Sequence, residues 1–200
     1  MNKIVMIFCA LGLTFGLSAQ NFGVQVGMNM ASLSGEGAED LDMKMGINGG
    51  VVADFSLSDA MSLKTGALYS TKGAQMEDSG IKMSLAMSYL EVPLNIGFSV
   101  SDQISLMAGP YLGLLMSAKS KISGEFFGET IEEEEDIKED MASMDFGINL
   151  GASFSINESI SIGAGYQLGL ADISSEGDAD ATHSNIHISV AYMFGGGGYY

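Results

Sequence analysis

Between residues 144 and 156 the chain alternates without a fault. Met144, Phe146, Ile148, Leu150, Ala152, Phe154 and Ile156 are apolar, while Asp145, Gly147, Asn149, Gly151, Ser153 and Ser155 are small or polar. The same period of two returns at 160–168 and 186–194, and with small exceptions at 22–30 and 45–57. Successive side chains of a strand point to opposite faces, so this pattern specifies strands with one apolar and one polar face. The longest apolar run after the N-terminal segment, 106–116, is broken by Gly109, Pro110 and Gly113, so no membrane helix is expected there.

A soluble sandwich alternates in the same way, and an internal repeat separates the two. Residues 55–66, 98–109 and 154–165 read FSLSDAMSLKTG, FSVSDQISLMAG and FSINESISIGAG. Each is a strand end, a three-residue turn (58–60, 101–103, 157–159) and a strand start. The apolar phase survives only if 57 faces 61, 100 faces 104 and 156 faces 160. At the opposite ends, polar segments near 34–43, 76–81, 120–141 and 173–184 are expected to be long loops. The count is then eight strands, near 22–33, 44–57, 61–74, 82–100, 104–118, 142–156, 160–172 and 185–194. Short turns at one end, long loops at the other and an even strand number predict an eight-stranded antiparallel up-and-down transmembrane β-barrel. Phe22, Phe55, Phe98, Phe154, Tyr192 and Phe194 fall at strand ends on the short-turn side, the expected periplasmic aromatic girdle.

Composition narrows the function. Acidic residues number 25 against 8 basic, all of them Lys, for a formal charge of −17. No basic patch can be built from these, which excludes nucleic acid as a partner. An apolar share of 46% and a mean hydropathy of +0.24 exclude a solvated polyelectrolyte. Lys3, the apolar stretch 4–17 and the small residues before Gln20 read as a secretory signal cleaved after Ala19. The organisation expected is therefore signal 1–19, barrel 20–194 and a short Gly/Tyr tail 195–200. Cys9 lies in the signal, leaving no disulfide, thiol nucleophile or Cys-based metal site.

The segment Tyr89-Leu90-Glu91-Val92-Pro93-Leu94 resembles the Tyr-Leu-Glu-Ile-Pro-Leu hallmark of the Bacteroidetes outer-membrane β-barrel family, the PorT-like porin family. Residues 108–113, Ala-Gly-Pro-Tyr-Leu-Gly, resemble that family's next strand. The resemblance implies an outer-membrane barrel exported by its signal, mostly without an assigned substrate, with one branch tied to protein secretion and gliding. The last strand, His187-x-Ser189-x-x-Tyr192-x-Phe194, resembles the signal read by the barrel-assembly machinery, with Ser189 where Gly is usual.

Within the strands, the apolar phase flips between Tyr89 and Leu90, which predicts a β-bulge around 88–90. The turn at 101–103 sets Pro93 opposite Tyr111 and Leu94 opposite Pro110, one patch where the ladder lapses. Chemistry-bearing clusters are thin. His183 and Ser184 share an outer loop with Asp178 and Asp180, an arrangement that chance readily produces, so no catalysis, cofactor or metal is expected. Most of the 15 Met residues sit on the apolar face as lipid-facing filler. His187 is expected to be a satisfied lumen residue.

Two function classes follow. One is a structural or interaction barrel whose acidic loops meet ions, outer-membrane lipid or a protein partner. The other is a small-solute channel or an accessory component of a secretion system. Nine carboxylates between Glu125 and Asp140, with Lys138 the only cation in that span, should repel one another unless a divalent cation binds. The interior of eight strands is about wide enough for side chains to fill. Asp54 faces Lys64 across the first turn and Asn149 faces Gln167 across the third, giving an expected lumen salt bridge and an amide pair. A filled bore, closed to solutes, is the expectation.

Overall fold

The computed structural model describes residues 21–35, 41–78, 80–126, 129–173 and 181–194. The expected signal at 1–19, the tail at 195–200, Asp178 and Asp180 lie outside the described residues. The strands are β1 (Asn21–Ser34), β2 (Asp42–Ser56), β3 (Met61–Asp78), β4 (Ile81–Ser99), β5 (Ile104–Phe126), β6 (Glu129–Asp136), β7 (Met144–Ser155), β8 (Ile160–Gly169) and β9 (Thr182–Met193). All pair antiparallel. β1 pairs with β9, and β4 with β5, so the ring β1-β2-β3-β4-β5-β7-β8-β9 closes. Closure satisfies the wall's backbone groups internally, the condition for crossing a bilayer with strands. No helix among the described residues is long and apolar enough to cross one.

The outward set is the apolar set. Val26, Ile47, Val51, Leu150 and Ile188 are all more than half exposed. A water-soluble chain rarely carries so wide an apolar belt. The turns hold the register that the repeat requires: the amides of Leu57, Val100 and Ile156 donate to the carbonyls of Met61, Ile104 and Ile160 at 2.9, 2.8 and 2.9 Å. Asn157 Oδ1 accepts from the amides of Ser159 and Ile160, and Ser101 Oγ from that of Ile104, which stiffens two of the three turns.

The other end departs from expectation. The segment 120–141 is no open loop: β5 runs on to Phe126 and β6 returns beside it, a ninth strand outside the ring. Between β3 and β4 the expected loop shrinks to a tight turn, with Gly80 at a φ of 82° that disfavours a side chain. A strand needs about 9–11 residues to span the hydrocarbon. β7, β8 and β9, at 12, 10 and 12 residues, do little more, whereas β3, β4 and β5, at 18, 19 and 23, overshoot. The overshoot and β6 form a blade rising from one side of the barrel.

The bulge lies where the ladder slips, between Ser88 and Tyr89, but its extra residue is in β5: Ser88 pairs with Ser117 and Tyr89 with Leu115. β4 itself keeps one phase, with Met87, Tyr89, Glu91, Pro93 and Asn95 all inward and buried. The flip of apolarity there reflects a change of solvent. Above the bilayer the outside is wet, so the apolar residues turn inward. Met87, Tyr89, Leu115, Ala118 and Ile173 form an interior core, packed by Leu33, Leu85, Ile137, Met141 and Ala181. Pro93 does pair with Tyr111, and the β4–β5 ladder resumes only at Ile96 and Ala108.

Candidate functional site

The polar residues that alternation sends inward converge on Lys72. Its Nζ lies 2.9 Å from Glu91 Oε2 and 3.2 Å from Asp145 Oδ2, and its side chain is fully buried. The three come from β3, β4 and β7, and none pairs with another in a ladder: Lys72 faces Met87, Glu91 faces Leu68 and Asp145 faces Gly113. β3 and β4 are neighbours, whereas β7 lies beyond β5, so it is the Lys72–Asp145 contact that reaches across the bore.

Its surroundings supply the donors two carboxylates need. Tyr111 Oη donates to Asp145, with both carboxylate oxygens at 3.3 Å, and its ring lies under Lys72 Nζ at 4.3 Å. That ring fits because residue 147 is glycine; a Cβ there would stand 2.8 Å from Tyr111 Cε1. Gln167 Nε2 donates to Glu91 Oε1 at 2.5 Å, and Asn185 Nδ2 to Gln167 Oε1 at 2.8 Å. On the outer side Tyr89 Oη is 3.1 Å from His183 Nε2, with the rings edge to face at 5.5 Å. A second amide chain runs through Asn29, whose Nδ2 donates to Ser70 Oγ and whose Oδ1 accepts from Asn48.

Several residues singled out in the sequence belong here, in altered roles. Tyr89 and Glu91 enter the network, Pro93 offers its carbonyl to Thr65 Oγ1 at 2.7 Å, Leu94 is exposed, and Leu90 and Val92 are half-buried on the outer face. Asn149 pairs with Gln167 in register, but Gln167 bonds Glu91 and Asn185 instead, and Asn149 Oδ1 has no partner. His187 Nδ1 is likewise unpartnered rather than satisfied. His183 is not in a loop; it is buried in β9, while Ser184 on the opposite face meets Tyr166 Oη at 2.8 Å. The two therefore form no dyad. Lys64 Nζ is 2.5 Å from Asp54 Oδ2, with side chains 32% and 18% exposed, so this pair is wetted. Phe22, Phe98, Phe154, Tyr192 and Phe194 are exposed on the outer face and Phe55 is half-buried. Phe194 stacks on both Phe22 and Tyr192, at 5.6 and 5.4 Å.

Sequence reasoning missed Lys72 and Asp145 as a unit. Both occupy inward positions of alternating strands, the one signal available.

The bore is filled over only part of its length. From the short-turn end a cavity of about 870 Å³ runs inward past Asp54, Lys64, Asn95 and Asn149 to Glu91 and Gln167. The Lys72 layer and then the Met87–Ile173 core stand beyond it. Inward glycines admit the rings near Lys72: a Cβ at Gly147 would meet Tyr111, and one at Gly113 would meet Tyr89.

An antiparallel barrel of eight strands with an apolar exterior and a polar interior is a membrane barrel. The chain belongs to the outer membrane protein beta-barrel domain family, whose pattern matches residues 11–175. In fold it is similar to Ail, the attachment invasion locus protein of Yersinia pestis, solved with the heparin analogue sucrose octasulfate. That likeness has a TM-score of 0.50 and 16% identity over 87% of this chain and 98% of that one. Neisserial surface protein A is also similar, with a TM-score of 0.48 and 12% identity over 86% and 97%. No curated protein matches the sequence. Family and fold place the protein in the outer membrane, surrounded by lipid.

Proposed function

We propose that this is a non-catalytic structural or interaction protein, closed to solute flow, that presents the acidic β5–β6 blade to a protein partner. The observation that carries the reading is the double seal: a charged layer at Lys72 backed by an apolar core, with the 870 Å³ cavity on one side of it. The blade carries Glu132, Glu133, Glu134, Glu135 and Asp136. Lys119 reaches Glu134 at 2.5 Å and Lys121 reaches Glu132, so part of the repulsion is offset without a divalent cation.

The finer assignments belong to the same proposal. Residues 1–19 act as the export signal, 20–194 as the barrel and 195–200 as a tail. The Tyr89–Leu94 segment supports the PorT-like branch. The short-turn aromatics act as the periplasmic girdle, and β9 as the strand read by the assembly machinery. The competing channel reading draws on the cavity. Planar-bilayer recording separates the two: the closed barrel gives no steady current, and a unitary conductance scaling with salt overturns it.

A further inference from the structure

Above the rim the blade has two unlike faces, and the ladders say which residue stands on each. The outer face is polar, with Gln75, Ser84, Lys121 and Glu134 aligned in one row. The inner face continues the Met87 core upward and aligns Met76, Met83, Ile122 and Glu133. Ile131 lies on the same face, and Met83, Ile122 and Ile131 are 40%, 42% and 47% exposed. Apolar side chains that recur across a sheet above the lipid belt call for cover. Glu133 and Glu135 border this patch on one side, exposed and without an ion pair among the described residues. Their neighbours Glu132 and Glu134 instead hold Lys121 and Lys119 on the outer face. A groove lined by Ser120, Ile122, Glu133, Glu134 and Glu135 follows the border.

The chain's own sequence supplies no cover of matching chemistry. The segments 36–40 and 174–180 read Glu-Gly-Ala-Glu-Asp and Ser-Ser-Glu-Gly-Asp-Ala-Asp. Neither holds a side chain more apolar than Ala, and both would bring acids to Glu133 and Glu135. Two residues separate Phe126 from Glu129, too short a link to fold back over Ile122. A second copy would bring the same acidic border and the same formal charge of −17. Cover that suits the face is apolar, with cations along one flank. Four strands span about 14 Å between the outermost axes, against a helix diameter of about 10–12 Å. We propose that the inner face of the blade docks one basic amphipathic helix of a partner protein. Its apolar stripe lies on Met83 and Ile122, and its lysines or arginines meet Glu133 and Glu135. The inference rests on the blade as an interaction surface and names the face and the partner's chemistry.

The test uses the mature chain in nanodiscs with Ile and Met methyl groups labelled for NMR, its barrel verified by heat-modifiable migration. The probe is two repeats of Leu-Lys-Lys-Leu-Leu-Lys-Leu, an amphipathic helix, compared with its leucine–glutamate counterpart and with oligolysine. Saturable shifts are expected at Met83, Ile122 and Ile131, while the lipid-facing Ile47 and Ile188 hold still. E133Q/E135Q is expected to weaken the affinity about fivefold, as two exposed charge pairs imply. M83S/I122S is expected to abolish the shift at Ile131, and E132Q/E134Q to leave affinity within about twofold. Equal binding of the glutamate peptide or of oligolysine overturns the proposal. So do shifts at Ile47 and Ile188, which report a peptide bound to lipid. An Ile131 shift that follows protein concentration without peptide assigns the face to a second copy and overturns it too. Weakening in E132Q/E134Q alone keeps the blade as the interacting element but overturns its inner face. No saturable shift on the blade with any peptide sinks the inference, while the bilayer recording still judges the closed barrel separately.

Discussion

Lys72 has no route to water, and its two carboxylate partners lie on other strands, so its contribution appears when it is removed. Lys72→Met strands Glu91 and Asp145 inside the bore and is expected to cost about 3–5 kcal/mol, read from urea unfolding in liposomes. Adding Glu91→Gln and Asp145→Asn to that variant is expected to restore much of the loss, because no buried charge is then left unpaired. Asp54→Ala is the contrast. Its pair with Lys64 borders the open cavity, so the same measurement should register less than about 1 kcal/mol. The sequence exposes these two pairs unequally. Asp54 and Lys64 face each other across a three-residue turn, and local register alone brings them together. Lys72 and Asp145, separated by 73 residues, meet only once the sheet has curled shut.

At the scale of elements, the strands of the bilayer zone were legible because lipid enforces a strict period of two. The same code misleads above the membrane, where Met87 and Tyr89 are apolar and inward, and where polar segments pair as a hairpin instead of looping. Nothing in the run of glutamates announced β6; its cross-strand lysines sit before the acidic stretch, in β5. That pairing is testable. Lys119 beside Glu134 holds the carboxyl below its usual range. Since the folded value is the lower one, the pair stabilises the hairpin above the ordinary glutamate pKa, and that support fades as pH falls through the folded value. Hydrogen exchange across 131–136 should therefore lose protection on acidification, and Lys119→Gln should flatten the dependence. Unchanged protection from neutral to acidic pH would show that backbone pairing alone holds the blade.

At the scale of the molecule, protease added to intact cells is expected to cut within 119–136 and leave the barrel protected. Cleavage at 58–60 or 157–159 instead would invert the orientation. Replacing Met87 and Ile173 with Ser, together with Lys72→Met, should breach both seals and produce conductance that the parent lacks. The uneven strand lengths carry a last consequence. Because β3 to β6 stand tall while β7 to β9 end near the bilayer surface, the protein is not rotationally uniform about the membrane normal. Among the described residues it has a front and a back: a neighbour drifting in the plane of the membrane meets an acidic wall from one bearing and short strands from the other. A cylinder shaped this way carries a compass heading, and any assembly it joins inherits that direction.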